Sequence, residues 1–82
     1  MEHRYPTGEI MRLRDRVRGP DGLTGVVVGI IENDEYDLSV VSGKGWKDDC
    51  TGILVKTDAF GLVLYGEPDR IALFVLLAAA PA

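Results

Sequence analysis

Apolar residues fall in short runs separated by glycine and polar turns, and most of the runs alternate. From Arg12 to Arg18 arginine takes every second position, with Leu13, Asp15 and Val17 between, which is the period of a strand. Gly19-Pro20-Asp21-Gly22 reads as a turn, because proline presets φ and glycine admits positive φ. Residues 23–31 (LTGVVVGII) form a nearly continuous apolar strand, in which Gly25 and Gly29 predict sharp bending or a bulge. After the polar turn Glu32–Glu35, residues 36–42 alternate again, with Tyr36, Leu38 and Val40 expected on one face. Residues 43–52 form the longest irregular loop. Residues 53–57 and 62–65 are expected to pair as a hairpin across Asp58–Gly61, and Gly66-Glu67-Pro68-Asp69 breaks the sheet.

The last segment, Arg70 to Leu77, supports two readings. Ile71, Phe74 and Val75 favour a strand. Pro68 followed by Asp69 also suits the start of a helix. A short turn followed by a strand is preferred, with a short C-terminal helix as the alternative. Ten glycines set this rhythm of strands and tight turns within 82 residues. The expectation is mainly β: one domain over residues 1–82, an SH3-like barrel of five or six strands, with residues 1–8 a mobile tail.

Charge is uneven. Residues 1–18 hold five arginines against three acids, a balance of +2, and the remaining four bases against ten acids leave −6, for a net −4. Net negative charge disfavours non-specific nucleic-acid binding, which needs Lys and Arg on phosphates. Cys50 is the single cysteine, so no internal disulfide forms, and a lone thiol suits a reducing compartment. Residues 1–7 lack the apolar core of a signal peptide, and the apolar run 71–80 is about half a membrane span. The expected location is the cytoplasm.

The stretch Asp15–Ile30 (DRVRGPDGLTGVVVGI) resembles the turn-glycine-strand pattern of KOW-type small barrels. It is also similar to the small plasmid-borne, trimethoprim-resistant dihydrofolate reductase family, through Asp15–Arg18, Gly25–Gly29 and Tyr36, and more loosely through Leu62–Tyr65 and Asp69–Ile71. That family is a tetramer of SH3-like barrels around a central pore with the motif Val-Gln-Ile-Tyr. The matching residues here are Leu62, Val63, Leu64 and Tyr65, so only the tyrosine is kept. Val63 stands where the family's glutamine meets folate and cofactor, and valine makes no hydrogen bond. The resemblance therefore implies the barrel and a tendency to oligomerise, without reductase activity.

Several groups are candidates for function. Arg12, Arg14, Arg16 and Arg18 on one strand face would stand about 6.8 Å apart, a spacing that suits a phosphate track. The alternative is a solvated face or a charged edge that resists aggregation, neutralised by Glu32, Asp34, Glu35 and Asp37. Trp46 lies between Lys44 and Lys47 in the glycine-flanked loop. It either stacks on a partner or closes the open end of the barrel. Asp48, Asp49, Cys50 and His3 lack metal-site spacing, so no metal is expected. No nucleophile–base–acid set can be assembled around the one histidine, so neither a catalytic residue nor a cofactor is expected. Ile71, Leu73, Phe74, Val75, Leu76 and Leu77 are apolar all round, more than one small domain covers, and form the expected oligomer interface. The leading expectation is a non-catalytic SH3-like binding module, homo-oligomeric, with a protein or peptide partner. The alternatives are a nucleic-acid binder using the arginines and Trp46, and a small-molecule pore within an oligomer. No membrane partner is expected.

Overall fold

In the computed structural model, which describes residues 2–43 and 45–81, six antiparallel strands form one sheet. The strands are β1 (Arg16–Arg18), β2 (Thr24–Ile30), β3 (Glu35–Tyr36), β4 (Ile53–Thr57), β5 (Gly61–Tyr65) and β6 (Val75–Ala78). The order is β5-β4-β2-β1-β6, with β3 beside β2. The molecule is thus the mainly β small domain that the sequence predicts. Two one-turn α-helices, α1 (Trp46–Asp49) and α2 (Pro68–Ile71), and a 3-10 turn at Ile31–Asn33 interrupt it among the described residues. No helix among the described residues is long and apolar enough to cross a membrane.

Turn chemistry accounts for the connections. Gly22, at φ 85°, closes the turn between β1 and β2, where its N–H donates to Gly19 O at 3.0 Å. In β2, a Cβ at Gly25 would lie 2.4 Å from the Lys56 carbonyl, so only glycine lets β4 approach there. The register of β2 against β4 slips between Val27 and Gly29, which is the irregularity the two glycines predict. The C-terminal segment uses both of its possibilities in succession. Pro68 opens α2, and the chain then extends into β6, which returns beside β1.

Two apolar clusters hold the sheet. The larger lies on its inner face and includes Tyr5, Val17, Ile30, Val55, Tyr65, Ile71 and Phe74. The smaller lies on the outer face, where Val28, Ile31, Val41 and Leu54 are buried beneath Tyr36, Trp46 and Cys50.

Three expectations need correction. The strand over residues 36–42 ends at Tyr36. Asp37 accepts from the Ser39 N–H and hydroxyl, the Val41 N–H donates to Asp37 O, and this turn leaves Leu38 and Val40 exposed. In place of the mobile tail expected over residues 1–8, the described residues 2–8 are tied to the domain, since His3 and Tyr5 are buried and Arg4 bridges to Ile10. The continuous arginine strand does not form. Leu13 and Arg14 make a turn with Arg14 at φ 71°, and β1 begins only at Arg16.

Candidate functional site

The turn at Arg14 divides the arginines. Arg12 and Arg14 sit on an exposed loop, and only Arg16 and Arg18 share a strand face. Arg16 is engaged within the chain, in an ion pair with the Asp58 carboxylate, which also accepts from the Thr24 hydroxyl at 2.8 Å. These hydrogen bonds hold the Asp58 carboxyl below its ordinary range. The acid facing Arg16 is therefore one from the β4–β5 hairpin, outside the 32–37 group expected to neutralise the row. Asp37 of that group does lie within electrostatic reach of Arg14.

Trp46 opens α1. Its indole N–H donates to Ser42 O at 2.7 Å while the ring packs on the outer apolar cluster. It covers part of this outer cluster rather than the larger inner core, and Lys47 beside it is exposed. Lys44 lies outside the described residues. Asp48 and Asp49 are exposed on α1, and Cys50 is half-buried. No group of three or more His, Cys, Asp or Glu side chains gathers among the described residues.

The expected oligomer segment separates into two sets. Ile71 and Phe74 are buried in this chain's own core, and Leu76 packs against it. Ile71 and Phe74 therefore present almost no surface to a partner, while Leu76 is half-buried. Leu73, Val75 and Leu77 are exposed. Alternation along β6 decides this, since Leu76 points inward between two outward neighbours. A similar pattern holds on β5, where Leu62 and Leu64 are exposed and Tyr65 is buried.

Two polar knots were not legible in the sequence. Buried Asp15 accepts from the Tyr5 hydroxyl at 2.6 Å, from the Arg12 N–H at 3.0 Å and from the Ala80 N–H at 2.8 Å. Burial, then the Asp15 hydrogen bond, pushes the Tyr5 phenol far above its ordinary range. Beside this knot an open cleft of about 570 Å³ is lined by Arg4, Glu9, Ile10, Arg12, Leu76 and Ala80, among others. In the second knot, the His3 imidazole donates to Glu32 at 2.9 Å, and Glu32 also accepts from the Gly52 N–H at 2.8 Å. The spacings of 65 residues between Asp15 and Ala80, and of 29 between His3 and Glu32, have no local signature.

Burial by itself would raise the Glu32 carboxyl, but the His3 and Gly52 hydrogen bonds outweigh it and hold the group below its ordinary value of 4.5. A depressed carboxyl contributes stability that is complete above the unfolded value. That contribution is lost as pH falls through the folded value. Denaturation midpoints measured from pH 7 to pH 3 are expected to decline below about pH 4.5, and Glu32→Gln is expected to flatten that decline.

Compared with protein-family models, with curated proteins and with solved structures, the chain matches none.

Proposed function

We propose that the chain is a non-catalytic binding module whose partners are proteins or peptides, a second copy of itself included. The observation that carries this reading is the apolar surface left along the two end strands of the sheet, β5 and β6. Leu62 and Leu64 are exposed on β5, with Phe60 in the adjoining turn, and Val75 and Leu77 on β6, with Leu73 just before it. Clustered exposed apolar side chains on small domains mark interaction surfaces, and an unpaired strand edge offers a row of backbone donors and acceptors. The titratable side chains that chemistry would need have structural work instead: Asp15 accepts three hydrogen bonds, and His3 is buried against Glu32.

The arginines support nucleic-acid binding less than their sequence spacing suggests, because the turn at Arg14 breaks the row and Asp58 occupies Arg16. Trp46, half-buried at the outer cluster, provides a fluorescence probe. At roughly 0.15 M salt the titration with single- or double-stranded oligonucleotides is expected to give no saturable change. Tight binding that weakens steeply with salt, with a slope made shallower by Arg12→Ala or Arg18→Ala, would transfer the function to the basic strip.

A further inference from the structure

The main path of the sheet ends at β5 and β6, with two-residue β3 set off beside β2, and the two end strands are not equally open. Along β6, Tyr5, Pro6, Thr7 and Glu9 of the N-terminal turn face Val75 and Leu76 across a small cleft. A flanking loop of this kind is one way proteins shield an edge. On its outer side β5 pairs with no strand among the described residues. Gly61–Tyr65 contains no charge and no proline, and its register with β4 runs without a bulge. The devices that normally blunt an edge are missing from β5.

This edge is also self-complementary. Antiparallel pairing with a second copy about Val63 sets Val63 opposite the partner's Val63 and Leu62 opposite the partner's Leu64. Opposed residues of an antiparallel pair share a face, so exposed leucines, 43% and 42% accessible, cover one another. Within each chain Leu64 lies beside buried Leu54, and Leu62 beside Lys56. The joined sheet therefore carries the row Leu54–Leu64 onward to the partner's Leu62, and the lysines fall at opposite outer ends, where like charges do not meet.

The same register sets the partner's Phe60 opposite Gly66. Phe60 is 74% exposed at the tip of the β4–β5 turn. Gly66 has no side chain and belongs to an open cavity of about 240 Å³, lined also by Leu64, Tyr65, Glu67 and Arg70. An uncovered aromatic ring and an unfilled cavity thus come together twice across one twofold axis. Exposed Arg70, within electrostatic reach of Asp21, lines that cavity, where a cation can meet a ring face. A twofold contact of this type closes on itself as a dimer.

We propose that two copies of this chain join edge to edge through β5, antiparallel about Val63, each seating Phe60 in the cavity between Leu64 and Arg70 of the other. The inference rests on the binding-module reading and names its partner as a second copy.

Sedimentation of the full chain across the micromolar range tests it, with folding followed by circular dichroism. A dimer is expected. Phe60→Ser and Leu62→Lys, both at exposed positions, are each expected to weaken association by roughly tenfold or more, and Leu77→Lys on β6 to leave it unchanged. In a Cys50→Ser background, Val63→Cys is expected to give a disulfide-linked dimer on mild oxidation, because directly opposed residues lie about 4.5–5.5 Å apart, within disulfide range. Val75→Cys in the same background is expected to give none. A monomer throughout this range would overturn the proposal. A dimer abolished by Leu77→Lys but not by Leu62→Lys would also overturn it, moving the contact to β6 and leaving the binding-module reading intact. A monomer whose β5 amides gain hydrogen-exchange protection from an added extended peptide would replace the second copy with a foreign strand.

Discussion

Phe74→Ala is expected to bring the protein close to unfolding. The ring is fully buried, meets Tyr65 edge-on at a centroid distance of 4.8 Å, and lies against the backbone of Gly19, where a Cβ would come within 3.1 Å of it. It joins the segment before β6 to β5 and to the β1–β2 turn. Tyr65 in turn donates from its hydroxyl to Asp21 in that turn at 2.8 Å. Emptying such a site costs about 3–5 kcal/mol. A domain of this size has a total stability of roughly 4–12 kcal/mol at 0.05–0.15 kcal/mol per residue. Urea denaturation is expected to show a midpoint lowered by about a quarter or more. Leu73→Ala, one residue away but exposed, is expected to change stability by less than about 1 kcal/mol. The comparison also separates core from interface. A Phe74 that served only association would leave the stability of the dilute monomer unchanged on replacement.

The second large effect is expected at Asp15. Its two carboxylate oxygens accept three donors, from Tyr5, Arg12 and Ala80, and they bind the N-terminal turn, the entry to β1 and the exit from β6. An asparagine in its place would keep one acceptor oxygen and turn an amide NH₂ toward at least one of those donors. Hydrogen bonds to a charged group contribute about 1.5–3 kcal/mol each, and a buried donor without a partner costs about 1–3 kcal/mol. Asp15→Asn is therefore expected to destabilise by about 3 kcal/mol, a fall in melting temperature of roughly 12–24 °C for a domain of this length. Hydrogen exchange at Ala80 is expected to accelerate more than in the β4–β5 hairpin, because the knot is what holds the C-terminal segment down. Equal acceleration everywhere would mean that Asp15 acts only through global stability.

Local chemistry made much of the architecture readable. The turn at Gly19–Gly22, the irregularity between Val27 and Gly29, and the hairpin between residues 53 and 65 each depend on residues adjacent in sequence, and glycine, proline and alternation report on them directly. Alternation misled where the partner face was unknown. Leu38 and Val40 match the strand period, but Asp37 forms a turn with Ser39 and ends β3 at Tyr36. The arginines match it too. Arg14 nevertheless sits in a turn, where its N–H donates to Val27 O at 2.7 Å, while Asp15 is drawn into the core by Tyr5. The candidate surface was legible only in part, since an apolar run does not state which of its side chains the fold will cover.

A mainly β chain of short strands, the places where it turns, and an excess of apolar residues near its C-terminus follow from neighbouring residues alone. Which of those residues are core and which are surface emerges only from the folded sheet. Whether Phe74 is buried and Val75 exposed depends on β6 returning beside β1, and whether Leu62 and Leu64 stay open depends on β5 ending the sheet. The same holds for the joining of Asp15 to Ala80 and of His3 to Glu32. Such facts follow from contacts between residues far apart in the chain. Their free energy appears only once the whole sheet has closed the distance, and no short window of sequence carries it.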